Sequence, residues 1–542
     1  SFYLAMSLGC ARMETHARVV VIGGGICGCS LLFHLTQLGW KDVILIERDE
    51  LTSGSTWHAA GLNHLYAESP FLTRIAKESF DLYKSLEEAT DASVGLHMCG
   101  GVRLANTKDG VKEFQRYLGP ALANGVDAEI VDPHRVRELF PFLNKGDYLA
   151  GLHTPGEGYV DPSMTTNTLA NNARREGASV YRQTSVTKLE QLAGGEWKIT
   201  TTGGVVIAEF VVNCAGAWGA EISKLLGEYL PVLTQEHQYL VTESTNLVAG
   251  LEFELPVLRD PSVPFYCRQE GQSLMLSGFE DEVKFNWLDG APSNFSMSLY
   301  PADLDRSASC LEKSFTMIPA LRDLGIKAVV NGPIPATPDM QGLIGPAHGL
   351  KNYYVCCGIH GAFVQGYLTR YLAEWIVYGE PSIDLATVDV RRFGGYATQK
   401  FAVSKVSAAH TMFSLPANYP NVESEGGRRT RVGPLYETLG RKGAVFGVID
   451  GWEVANWFAP KGVDRQDIWS FERTNWFEYV AMEVRWAREN AALMDLTPVS
   501  KHSLVGPSVE SLLSQLSATE LPRIGERRVC AFLSEKGRLE LV

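Results

Sequence analysis

Three glycines, an acid and a histidine within residues 18–61 carry the most legible chemistry of this chain. In RVVVIGGGICGCSLLFHLTQLGWKDVILIERDELTSGSTWHAAG, Gly23, Gly25 and Gly28 stand in GxGxxG spacing behind the strand-like run Val19 to Ile22. A helix-like stretch from Ile26 ends at Gly39, and the apolar strand Val43 to Ile46 closes on Glu47, nineteen residues after Gly28. Each residue type has a task. Gly23 permits a tight strand-to-helix turn, Gly25 lets a pyrophosphate approach the backbone at the helix N-terminus, and Gly28 lets helix and sheet pack closely. Glu47 can accept hydrogen bonds from a ribose diol. The glycines alone are a weak signal; strand, helix, second strand and terminal acid in register are a strong one for a dinucleotide-binding βαβ unit.

The elements that must position these groups follow along the chain. Leu72, Ile75, Ala76, Phe80, Tyr83 and Leu86 recur at helical spacing. Residues 195–216 read as a hairpin turning at Gly203 and Gly204, whose second strand ends in Ala215 and Gly216 beside Trp218. Small residues at a strand's carboxyl end suit a ligand lying against the sheet. Alternating runs at 237–243, 265–271 and 273–280 predict an antiparallel sheet roofing a substrate, after which the nucleotide part resumes at 331 with a strand at 352–358 and a helix at about 361–378. Residues 418–433, rich in Gly, Pro and charge, read as an exposed linker.

Composition narrows the classes. A chain of 542 residues exceeds one compact core, and 45% hydrophobic with 20% charged residues is an ordinary soluble composition. A net charge of −13 argues against a nucleic-acid surface, and no apolar run approaches a membrane span. The ten cysteines lack zinc spacing and read as small, buried, reduced residues, with no metal expected.

The motifs VVVIGGGICG, ERDELTSGSTWHAAG, LHTPGEGYVDP, VVNCAGAW, EHQYLVTE, LPVLRDP with CRQEG, VVNGPIPATPD, LAEWIVYGEP and RTNWFE together resemble the dimethylglycine and sarcosine dehydrogenase family, over residues 17 to about 540. The family lies within the D-amino-acid-oxidase-like flavoenzymes. The resemblance implies an α/β fold: a Rossmann-type FAD-binding domain, an antiparallel-sheet substrate domain, and a truncated α+β aminomethyltransferase-like domain. It implies FAD, and a nicotinamide enzyme would have no use for a histidine eleven residues beyond Glu47. In the resembled enzymes the WHAAG histidine, here His58, bonds covalently to the isoalloxazine methyl carbon; the plain alternative is a polar loop residue beside a noncovalent flavin. Arg48, Ser55, Thr56, Ala215, Gly216, Trp218, Asp339 and Gly358 are expected around the same cofactor.

The implied reaction is oxidative N-demethylation of a small N-methylated amino acid. A hydride leaves the N-methyl carbon for flavin N5, and the resulting iminium hydrolyses to formaldehyde. A substrate carboxylate calls for a cationic clamp, for which Arg268 beside Tyr266 is the candidate, while His237 and Tyr239 are placed to orient the amine or take its proton. The plain alternatives are an Arg268 paired with a nearby acid and a His237 satisfied within its sheet. The implied electron acceptor is an electron-transfer flavoprotein or oxygen, in the cytoplasm or mitochondrial matrix.

Two departures from the family pattern stand out. Tyr367, Leu368, Thr369 and Arg370 replace a small-residue loop expected to face the flavin. The folate-binding half stops early at Val542, so the expectation is an incomplete tetrahydrofolate pocket and release of formaldehyde. A catalytically silent regulatory subunit, like the pyruvate dehydrogenase phosphatase regulator of the same architecture, is the competing reading; those relatives lack the WHAAG histidine. The expected organisation is an extension at 1–16, disordered or non-native; an oxidoreductase domain at 17–381, with nucleotide parts 17–90, 150–230 and 331–381 and substrate parts 91–149 and 231–330; a linker subdomain at 382–434; and the partial domain at 435–542.

Overall fold

A computed structural model describes residues 13–541, apart from 68, 90–92, 147, 281, 360, 413, 414, 416, 535, 536 and 538. The expected extension at residues 1–12 lies outside the described residues. Residues 13–16 belong to the fold: Met13 packs against a sheet core, the Thr15 carbonyl accepts from the Ile207 amide, and the first strand begins at His16.

That strand, His16–Ile22, sits inside a sheet ordered Leu343–Pro346, Tyr353–Cys357, Gly204–Asn213, His16–Ile22, Val43–Ile46, Ser179–Tyr181. All neighbours pair in parallel except Leu343–Pro346, which runs antiparallel at the edge. Parallel strands need cover on both faces, which is why VVVI, VILI and YYVCC are wholly apolar and buried. Helices Ile26–Gln37, Pro162–Arg175 and Ala362–Tyr378 share a core on one face. Strand Trp197–Thr201, folded back on Gly204–Asn213 as the hairpin pattern predicts, contributes Trp197 and Ile199 to the core on the other.

The close contact of helix and sheet is made at Gly28. A Cβ there would fall 2.0 Å from the Gly23 carbonyl oxygen, and Gly23 itself takes φ +116°.

The second sheet runs Phe285–Asn286, Leu233–Thr242, Ser273–Gly278, Phe265–Glu270, Val257–Asp260, Gly101–Ala105, Ala150–Thr154, Glu129–Val131, with Ile326–Ala336 also pairing Leu233–Thr242. It departs from a purely antiparallel roof at one join: Val257–Asp260 and Gly101–Ala105 are parallel. Its membership moves two expected boundaries. Ala150–Thr154 belongs to this sheet and not to the nucleotide part, and Ile326–Ala336 carries the substrate part past residue 330, because each strand finds its ladder partner here.

The expected linker is built into the fold. Helix Gln399–Met412 buries Phe401, Ala402, Val406 and His410. Within the stretch read as exposed, the Asn418 amide donates to the buried Glu113 carboxylate and the Tyr419 hydroxyl to Asp109, so its polar groups have partners that only the tertiary structure supplies. One compact unit reaches Trp486 and a second begins at Ala487. Residues 435–486 fall in the first, where Trp457 is fully buried and stacks on Tyr479 at 5.6 Å. The second holds helix Val509–Leu516 and the strand pair Phe532–Leu533 and Leu539–Leu541, and leaves Leu493, Met494, Val505 and Ile524 exposed.

Replacing Gly28 by Val should cost about 3 kcal/mol or more, since the obstacle is main chain that cannot rotate away. Gly119→Ala meets no atom within 4 Å outside its chain neighbours, and its helical gain is offset by the crowding of a Cβ against Pro120, so its effect should stay within about 1 kcal/mol. Thermal unfolding of both proteins checks the pair.

Candidate active site

The two sheets enclose a cavity of about 1100 Å³ that runs from the Gly23 turn to the face of the second sheet. Its nucleotide end is built from main chain. Helix Ile26–Gln37 opens at Gly25, which has no side chain to cap it, and carries no acid in its first turn, so its positive end faces the cavity. Thr56 Oγ1 accepts from the Ile26 amide at 3.2 Å. Glu47 accepts the Gly24 amide at 2.6 Å and the Asp49 amide at 2.8 Å. Burial raises its carboxyl, and these two amides oppose that rise. A carboxylate has about four acceptor sites, so two remain for a diol.

Around this end lie further expected residues. Arg48 stacks over Trp218 at 4.2 Å and donates to the Phe295 carbonyl, and Trp218 Nε1 donates to the Pro292 carbonyl. Ser55 donates to the Pro333 carbonyl at 2.6 Å. Ala215 and Gly216 follow strand Gly204–Asn213 directly beside the first strand, and Gly358 follows Tyr353–Cys357; all three line the cavity. Asp339 lines it too, with its carboxylate forked onto Arg392 at 2.7 and 2.9 Å.

His58 sits deeper. Its ring is buried, its Nε2 has no hydrogen-bond partner among the described residues, and it lies flat against Gly332, where a Cβ would fall 2.4 Å from its Cε1. Burial pushes its pKa down to about 4, with the neighbouring His237 acting in the same direction, so the imidazole is neutral at pH 7. Gly332 is the cross-strand partner of His237.

On the sheet face, directly opposed residues point the same way. The register Tyr266 to Ser277 to Tyr239 therefore forms one row across three strands, with His237 two residues from Tyr239 on the same face. His237 lies between the Ser277 hydroxyl, 3.4 Å from Nε2, and the buried Glu280 carboxylate, 3.6 Å from Nδ1. Burial of Glu280 is outweighed by His237 and Arg306, which hold its carboxyl below the ordinary value. Burial pushes the Tyr239 phenol up to about 12.

Two expected residues do not reach the cavity wall. Gly28 does its work behind it, as described. Arg268 is spent elsewhere: its guanidinium pairs with Glu270 at 2.6 Å, donates to the Ala60 and Gln269 carbonyls, and stacks over Tyr159 at 4.1 Å. The clamp role expected of it is not carried by this geometry. The segment 367–370 is helical rather than a loop. Tyr367 packs on His34, Thr369 exchanges a hydrogen bond with Ser30, Arg370 pairs with Glu374, and only Leu368 of the four lines the cavity. Sequence reading missed Arg103, Arg259, His64 and Tyr66, all of which line it, although Arg259 lies within the LPVLRDP motif.

The FAD dependent oxidoreductase family matches residues 18–375. This chain belongs to that family. The GCVT N-terminal domain matches residues 435–541. Mouse (Mus musculus) mitochondrial dimethylglycine dehydrogenase is 38% identical over 97% of the chain and 61% of its own length, so this chain spans less than two thirds of that relative. The mouse mitochondrial pyruvate dehydrogenase phosphatase regulatory subunit is 29% identical over 93% of the chain and 58% of its own length. Among solved structures, L-proline dehydrogenase from P. horikoshii superposes with a TM-score of 0.62 at 24% identity, over 70% of this chain and 98% of that one, a likeness of fold. No helix among the described residues is long and apolar enough to cross a membrane.

The helix N-terminus at the cavity, the glycine cradle, the acceptor sites left on Glu47 and the unpartnered His58 Nε2 fit the family's FAD. A Glu47→Arg protein should lose most of its bound flavin, at least tenfold by the ratio of visible to ultraviolet absorbance after purification. Full flavin content in a folded Glu47→Arg protein overturns the assignment.

Proposed function

We propose that this oxidoreductase removes a methyl group oxidatively from a small N-methylated amino acid of the dimethylglycine or sarcosine type. The observation that carries the reading is His58, buried, neutral and unpartnered at Nε2 beside the His237 and Tyr239 face. FAD, when bound, supplies the two-electron acceptor for the hydride of the N-methyl carbon, leaving an iminium that water hydrolyses to formaldehyde and the demethylated amine.

The chain's own groups prepare the substrate. An amine must be neutral to release its lone pair. His237, between the Glu280 carboxylate and the Ser277 hydroxyl, is the side chain placed to orient the amine or take its proton. Tyr239 and Tyr266, kept protonated by burial, confine the amine from either side of Ser277 and remain donors throughout. His58, buried and neutral, would hold the isoalloxazine through the covalent link that the family resemblance implies, with Gly332 fixing its ring plane.

The proposal extends to release of formaldehyde, independent of tetrahydrofolate: among the described residues of 435–541 no large apolar side chain other than Trp457 is fully buried, and a pterin slot needs such walls. Electrons pass on to oxygen or an electron-transfer flavoprotein, and the word mitochondrial in the relatives' names supports a matrix location. The regulatory reading has the lower identity on its side and no observation of the site.

Acid precipitation should leave flavin on the wild-type protein and release it from His58→Ala. Anaerobic addition of an N-methyl amino acid panel should bleach the wild-type flavin, with one formaldehyde per flavin. Free flavin in the wild-type supernatant overturns the covalent link; no bleaching by any member overturns the demethylase reading and favours the regulatory one.

A further inference from the structure

Two arginines face each other across the parallel join of the second sheet. Arg103 on Gly101–Ala105 is the register partner of Arg259 on Val257–Asp260, and Arg259 is in turn the partner of Tyr266. The row that holds Ser277 and Tyr239 therefore continues, on the same face, into a pair of guanidinium groups lining the cavity.

Like charges directly opposite one another destabilise a sheet. Neither arginine has a carboxylate within 4 Å among the described residues, and the Nε of each is buried without a hydrogen-bond partner. The acid nearest in effect is Glu157, which accepts the Thr154 hydroxyl at 2.7 Å and the Leu65 amide at 3.2 Å and packs beneath Gly101. Burial, followed by the charge of Arg103, lowers the Arg259 pKa to about 10, which records an incompletely balanced pair.

Both guanidinium groups are nevertheless held in place. Arg103 lies over the Tyr66 ring at 4.0 Å, and the Tyr66 hydroxyl is anchored on the buried Glu113. Arg259 Nη2 donates to His64 Nδ1 at 3.1 Å; burial and the two arginines keep His64 neutral and hence an acceptor. A costly arrangement of two cations, fixed by uncharged partners and open to a cavity, suits an anion that arrives from outside.

We propose that Arg103 and Arg259 together form the carboxylate anchor of the substrate site, the specificity-determining element that selects N-methyl amino acids over N-methyl amines. This rests on the demethylase reading for the identity of the substrate, but the anchor itself requires only a small carboxylate. Burial raises the Glu157 carboxyl and Arg259 opposes that rise; counted as a carboxylate it leaves the two guanidinium groups one net positive charge, the complement of a monocarboxylate.

Calorimetry with methoxyacetate, a carboxylate that has no amine to oxidise, tests the anchor on the flavin-loaded protein. Arg259→Gln and Arg103→Gln should each weaken binding about 10- to 100-fold, the loss of one charge-assisted contact. Glu157→Gln should tighten it several-fold, a change of opposite sign that a misfolded variant does not produce. In the wild type, N,N-dimethylglycine should reduce the flavin at concentrations where its neutral amide does not, and Arg259→Gln should erase that preference.

If methoxyacetate binds the wild type and both arginine variants equally, or binds none of them at millimolar concentration, the anchor is overturned whatever is oxidised. If it binds in the expected order while no N-methyl amino acid bleaches the flavin, the anchor stands and the demethylase reading falls.

Discussion

Helix Ile26–Gln37 can press against strand His16–Ile22 only because no side chain stands between Gly28 and the Gly23 carbonyl. That contact sets the angle at which the helix meets the cavity and hence where its unpaired amides point. A helix backed off by the width of a methyl group would also lift Gly24 from Glu47, and the carboxylate would lose one of the two amides that fix it. The order is from backbone to side chain: the close approach comes first, and the acid, the Thr56 cap and the Trp218 wall are arranged on the frame it creates.

The two sheets then divide the work by the kind of group each can offer. A buried parallel sheet ends in loops and helix termini, so it presents main-chain dipoles, suited to a large polar ligand. The second sheet presents side chains at fixed spacing across its strands, suited to sorting a small one. His58 joins the two, since its own segment belongs to the nucleotide half and its ring rests on Gly332 of the other sheet. Its position therefore depends on both halves being docked.

Much of this was legible in the sequence, for physical reasons that differ by element. The first βαβ unit and the hairpin at 195–216 are local, with glycine and apolar period marking every boundary. The join of Val257–Asp260 to Gly101–Ala105 was not legible, because parallel neighbours separated by so much chain carry no mutual signal in either strand. The two arginines show the same limit and one missed clue. Arg268 and Glu270 are two residues apart on one strand, so they share a face and neutralise each other, which CRQEG already spells out. Arg259 has no such neighbour, as the adjacent Asp260 is occupied by Asn106 and Ser262. The stretch at 418–433 misled for the opposite reason: polar residues look exposed until their buried partners are known.

The cavity wall is assembled from pieces scattered from Ile22 to Ser424. Contacts between such distant segments form late in folding, because the intervening loops must close before any contact rewards them. During synthesis the first βαβ unit emerges early, but the pocket has no complete outline until the helix at 399–412 and the residues after it have left the ribosome. Cofactor capture thus belongs to the end of maturation, and the half-built chain passes through a stage in which the arginine pair and the His58 ring are still open to water.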